Sequence, residues 1–204
     1  MGFAMSNFWH NFILTFIPLF IVIDTIGNLP IVLTLSEGLT TRDRNRMIHI
    51  AILTATAVGL IFLFFGKFIL DAMKIPVYSL TIAGGIILLI LSIRYLLSGR
   101  VIEAEREEMI AVVPIGTPLV VGPATITTLL LLSVDYPLGI ILISLTINLF
   151  ISWVVFIFGN QLARFLGKGG LKAVSQVFNL LLAAIAVSMV IHGLELAGII
   201  KLTQ

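Results

Sequence analysis

The chain has 204 residues, 59% of them hydrophobic and only 11% charged, with a mean hydropathy of +1.18. That composition excludes a soluble globular protein, which could not hide so much apolar surface behind so few charges, and it points to an integral membrane protein. The formal net charge of +2 reports orientation before it reports any nucleic-acid partner, and the lack of cysteine excludes disulfides, thiolate zinc sites and cysteine nucleophiles.

Long apolar stretches run over residues 12–35, 47–70, 76–97, 109–132, 138–162 and 174–197, each about a bilayer thick when helical. They predict six transmembrane helices in a single domain, 1–204, with no soluble domain left over. The leading MGFAMSNFWHN carries no Lys or Arg, and the apolar run behind it is too long for a cleavable signal, so it is expected to be retained in helix one. The intervening segments are polar: SEGLTTRDRNR, DAMK, SGRVIEAEREE, SVDYP and GKGGLK. Nine of the twelve basic residues (Arg42, Arg44, Arg46, Arg94, Arg100, Arg106, Arg164, Lys168, Lys172) fall at the first, third and fifth connections, against Lys67, Lys74 and Lys201 on the other side. The positive-inside rule then predicts a multi-pass protein of the cell membrane with both termini extracytoplasmic.

Sliding the chain against itself by 93 residues superposes Pro30 on Pro123, Thr34 on Thr127, Ile50 on Ile143, Phe65 on Phe158 and Gly66 on Gly159. The third pair of helices needs a small shift to match. Three helices per copy is an odd number, so the second copy enters the membrane from the opposite side. The predicted fold is all-α, an inverted 3+3 repeat with repeat one at about 8–98 and repeat two at about 109–197.

In that register DTIGNLP faces TPLVVGP, with Asp24 opposite Thr117. Proline lacks an N–H and suits the first turn of a helix, so helices one and four are expected to be interrupted near mid-membrane, at residues 27–30 and 122–123. Gly27, Asn28 and Pro30 would form the first break, Gly122 and Pro123 the second. Inward-pointing helix N-termini attract a carboxylate and the carbonyls of the preceding halves attract a cation, so a zwitterion fits such a site. Each break taken alone is equally a packing kink.

Asp24 is the acidic residue placed well inside a predicted span, and such residues are functional hypotheses. It is a candidate for holding a substrate ammonium, binding a coupling cation or carrying a proton; the structural alternative is an aspartate that caps the break. Asn28, with donor and acceptor groups, is its natural partner. Thr117 and Thr125 offer hydroxyls at the second break, although membrane threonines commonly bond their own i−4 carbonyl. Gly84 and Gly85 suit close helix packing better than a pocket wall. Asn148, Gln176 and Asn179 are explained equally by a cavity or by interhelical hydrogen bonds. Arg94 and Lys67 are placed to snorkel, and His192 reads as interfacial.

DTIGNLPI in the first half and TPLVVGPATI in the second resemble the paired signatures of the MarC family, and length and layout agree across nearly the whole chain. The resemblance implies membrane transport of small neutral amino acids such as glycine and alanine, by proton-driven uptake in some members and by export in others. Carried over residue by residue, its signature covers Asp24, Gly27, Asn28 and Pro30, then Thr117, Pro118, Gly122 and Pro123. One departure is Asp24-Thr25, where the family commonly has Asp-Pro, so the first break is expected to be milder or shifted toward Pro30.

The resulting expectation is a secondary transporter whose partners are a small neutral amino acid, a coupling proton with sodium as the alternative, and the lipid bilayer. No cofactor or metal ion is expected. An exporter or a passive channel could use the same broken helices. An intramembrane enzyme fits less well: an aspartyl mechanism needs a second buried aspartate, and no mid-span His or Lys is placed to serve a serine nucleophile.

Overall fold

A computed structural model describes residues 2–98 and 120–200. Among these the chain is helical throughout, without strands: α1 Gly2–Ile23, α2 Thr25–Leu35, α3 Thr41–Ala72, α4 Val77–Ser98, α5 Pro123–Asp135, α6 Leu138–Ile157 and α7 Gly159–Leu196. Four stretches are long and apolar enough to cross a membrane, Asn7–Leu29, Thr41–Ala72, Leu138–Ile157 and Gly169–Leu196, and two shorter apolar helices, Val77–Ile93 and Ala124–Asp135, accompany them. The first half of the predicted fourth span, with the linker SGRVIEAEREE after its first residue, lies outside the described residues.

Helix ends follow from local chemistry. Thr40 caps α3: its hydroxyl accepts from the Asp43 N–H at 3.2 Å and donates to the Asp43 carboxylate at 2.6 Å, placing an acid in the first turn where the dipole favours it. The far end of α3 closes with Lys74 in the left-handed region, φ 54°, and the Ile75 N–H returns to the Leu70 carbonyl at 2.9 Å. Gly198, φ 71°, ends α7 in the same way, with Ile199 bonded back to Leu194. Within α7, Gly167 leaves helical geometry at φ 65°, ψ 171° and divides a short first segment from the long apolar one.

Each helix buries its apolar side against particular neighbours. α1 and α2 pack on α6 and α7, α3 packs on α5 and α6, and α4 lies between α5 and α7. A phenylalanine ladder on α1, Phe8, Phe12, Phe16 and Phe20, stacks at 5.3–6.3 Å and ends edge-on against Phe178 of α7. The closest pair is α4 with α7, which run antiparallel. A Cβ on Gly85 would lie 2.7 Å from the Ala186 carbonyl oxygen, and one on Gly193 would lie 3.1 Å from the Tyr78 carbonyl oxygen. Gly84 gives the same intimacy to Thr127 of α5, so this glycine pair serves helix packing.

Gly85→Val should therefore destabilise the fold, because its neighbour is backbone and cannot step aside; overpacking costs about 1–3 kcal/mol. Thermal unfolding in detergent is expected to show a midpoint several degrees lower, whereas Gly139→Ala, whose Cβ meets nothing within 4 Å, should leave it unchanged or higher.

Candidate functional site

The first helix break falls at Asp24, not at residues 27–30. Asp24 adopts φ 45°, a left-handed conformation that Asp tolerates better than most side chains, and it separates α1 from α2. Two side chains repair the cut. The Asp24 carboxylate accepts from the Gly27 N–H at 3.0 Å, capping the start of α2, and the Asn28 amide donates to the Ile23 carbonyl at 2.9 Å, capping the end of α1. Backbone bonds from Asp24 to Phe20 and from Asn28 to Asp24 keep the two halves nearly in line.

Gly27 is required by this arrangement. A Cβ there would collide with the Asp24 carboxylate, so the carboxylate occupies the space a side chain would fill. Pro30 does not make the break; it is the sixth residue of α2. The shift toward Pro30 expected from Asp24-Thr25 does not occur, because Thr25 takes the first helical position and its hydroxyl finds a tertiary partner, Ser152, at 2.5 Å.

That contact belongs to a polar seam. Ser144, Asn148 and Ser152 recur every four residues along α6, and all three are buried. Ser144 meets the Thr15 hydroxyl at 2.7 Å, Asn148 donates to the carbonyls of Ser144 at 2.8 Å and Phe16 at 3.3 Å, and Ser152 donates to the Asn148 carbonyl at 2.9 Å. The seam fixes α1 and the start of α2 against α6. Sequence reasoning singled out Asn148 and missed Thr15, Thr25, Ser144 and Ser152, although the four-residue period was a readable signal.

The second break precedes α5. Gly122 is its N-cap with extended backbone, φ −87° and ψ −175°, no side chain among the described residues caps it, and Pro123 follows in the first turn. A Cβ on Gly122 would meet no described residue within 4 Å. Thr125 and Thr128 are buried just beyond, and the Thr128 hydroxyl has no hydrogen-bond partner among the described residues. Thr117 and Pro118 lie outside the described residues. The two breaks share one buried cluster: Val120 and Val121, on the approach to α5, belong to the same apolar cluster as Ile23 and Leu29, which flank the Asp24 break. Asn179 is buried with its side-chain oxygen unpartnered among the described residues, Gln176 is exposed, and His192 pairs with Glu195 at 3.7 Å. No group of three or more His, Asp or Glu among the described residues could hold a metal ion.

The family model for MarC integral membrane proteins matches residues 9–198. The chain is 31% identical to the UPF0056 inner membrane protein YhgN of Escherichia coli, over 87% of this chain and 93% of that one. It is 31% identical to the UPF0056 membrane protein YvbG of Bacillus subtilis, over 88% and 92%, and 27% identical to a UPF0056 membrane protein of Methanocaldococcus jannaschii, over 90% and 96%. No solved structure matches.

Thr25→Val and Ser152→Ala should each destabilise the chain, since either leaves a buried hydroxyl partner unmet. A buried hydrogen bond contributes about 0.5–1.5 kcal/mol net, and in a double-mutant cycle read by unfolding in detergent the double variant should cost less than the two singles added. Strict additivity would show that the 2.5 Å contact carries no energy.

Proposed function

The chain belongs to the MarC family of integral membrane proteins, and from that premise we propose that it is a secondary transporter of small neutral amino acids, glycine and alanine first, working by alternating access around the two helix breaks. In this reading the chain resembles the small neutral amino acid transporter SnatA and acts as a carrier, not as an enzyme. One observation carries the reading: the starts of α2 and α5 adjoin a single buried cluster, and the second has no side-chain cap among the described residues. An uncapped helix start favours a carboxylate, and Asp24 at the other break favours an ammonium or a coupling proton, with sodium the alternative ion. The substrate-contacting set is Asp24, Gly27, Asn28, Pro30, Thr117, Pro118, Gly122, Pro123 and Thr125.

Alternating access needs two halves that can exchange roles, and an inverted 3+3 repeat, about 8–98 and 109–197, provides them within one domain. Three features support it. Exchanging α1 and α2 with α5, α3 with α6, and α4 with α7 preserves the helix pairings. Gly66 and Gly159, 93 residues apart, both make room for a leucine of the half-helix after a break, Leu130 of α5 and Leu29 of α2. Lys74 and Gly167, also 93 apart, both take positive φ at the turn before the third helix, so the third pair of helices follows the same register without a shift. The breaks are less symmetric: α2 starts at Thr25 and α5 at Pro123, five residues later in that register. The protein lies in the inner membrane, with the Arg44 end of the bundle cytoplasmic and both termini outside.

Asp24→Asn keeps size and much of the hydrogen bonding but removes the charge. In proteoliposomes it should cut pH-gradient-driven alanine accumulation by roughly tenfold or more, equivalent to about 1.4 kcal/mol. Counterflow survives if Asp24 carries the proton, and falls in step if it holds the ammonium. Gly27→Ala should reproduce the loss, because the new methyl expels the carboxylate from its cap. Normal concentrative uptake by folded Asp24→Asn protein, with unchanged pH dependence, removes Asp24 from the mechanism.

Glycine, alanine and serine should compete for one site, with inhibition falling as side chains lengthen; a methylene discriminates by about 1–3 kcal/mol in an apolar pocket. Competition by phenylalanine equal to that by alanine contradicts a small pocket.

A further inference from the structure

A groove of about 350 Å³ runs between α3 and α6 on the outer face of the bundle, and none of its lining residues belongs to either break. Its floor is apolar, with Ile52, Leu53, Leu149 and Phe150, and one end is closed by His49 and Trp153, whose rings meet edge-on at 5.7 Å. The His49 Nδ1 donates to the Asn45 carbonyl at 2.5 Å, which fixes the ring over the groove. Arg42, Arg46, His49 and Leu53 fall on one face of α3 at i, i+4, i+7 and i+11, so two exposed arginines continue the line of the groove toward the bundle end. A third cation stands there. Arg44 donates from Nη2 to the Ile157 carbonyl at 2.8 Å, one turn beyond Trp153, and its Nε is buried without a partner among the described residues. The neighbouring acid, Asp43, is held by the Thr40 hydroxyl.

We propose that this groove binds an anionic phospholipid of the surrounding membrane, an acyl chain lying on the floor and the phosphate among Arg42, Arg44 and Arg46. Charge decides the occupant. Three arginines beside a greasy slot attract a headgroup of net negative charge and repel a choline, whereas a second copy of the chain docked on the same face about a two-fold axis would set arginines against arginines. Trp153, with its indole at the polar end of the slot, occupies the depth that interfacial tryptophans favour.

Trp153 also reports occupancy. The chain has two tryptophans, and Trp9→Phe leaves Trp153 as the sole emitter while keeping an aromatic ring beside Phe8 and Phe12. The protein is reconstituted in bilayers containing increasing mole fractions of brominated phosphatidylglycerol or brominated phosphatidylcholine, and quenching is followed. Phosphatidylglycerol should half-saturate quenching at roughly fivefold lower mole fraction, the scale of one basic residue at a membrane surface, and Arg42→Gln/Arg46→Gln, both at exposed positions, should erase the difference. Equal quenching by the two lipids overturns the proposal, as does a preference that persists in the double variant. Absence of quenching by either lipid, the result if another copy of the chain covers the groove, overturns it too.

Discussion

In hydrocarbon no water stands ready to pair a loose backbone group, and each one left unpaired costs several kcal/mol. A helix can be cut inside a membrane only if the cut supplies its own partners, and the transport reading of this chain depends on the way Asp24 and Asn28 do so. The carboxylate closes the start of α2, the amide closes the end of α1, and the absent side chain of Gly27 leaves the carboxylate room to reach its target. Asp24 thus has a structural duty that the sequence also suggested, and the transport reading asks the same carboxylate to serve two ends. In that reading a substrate ammonium or a proton arriving at Asp24 would compete with the Gly27 N–H, which would couple occupancy of the site to the integrity of the break.

The two breaks are not equivalent. The first is sealed by its own side chains and tied through Thr25 to the polar seam of α6. The second has no side-chain cap among the described residues. A ligand carboxylate would supply at Gly122 what Asp24 supplies at Gly27, so the asymmetry itself matches a zwitterion whose two charges meet different ends. Around this pair the bundle is held by glycine-lined contacts, with α4 and α7 in backbone-to-backbone approach at Gly85 and Gly193. That gives a rigid frame beside two short half-helices, a division of labour that alternating access requires.

Membrane class and most helix bounds were legible in the sequence because apolar run length is a strong signal. The position of the first break was not. Pro30 drew attention as a helix breaker, yet it sits inside α2, where neighbouring helices can re-pair what a proline frees, while the real discontinuity is a left-handed aspartate. The readable clue was the spacing of Asp24 and Gly27, which is that of an N-cap and its third-position N–H. Thr25 stands where the family commonly has proline at the first helical position, and the loss of that rigid residue is met by a hydroxyl bonded to Ser152, a partner 127 residues away that no local pattern announces. The Arg44 contact to Ile157 is equally non-local. Thr117 and Pro118 lie outside the described residues, so their part in the second break rests on the sequence.

The central claim is that the amino acid binds at the start of α5, at Gly122. The chain has no cysteine, and a Cβ at Gly122 meets no neighbour among the described residues, so Gly122→Cys gives one reactive thiol at that point. Its modification rate by a small methanethiosulfonate in proteoliposomes, with and without saturating alanine, tests the claim directly. Protection by alanine but not by leucine is the result the account predicts, and a labelling rate that alanine leaves unchanged would contradict it.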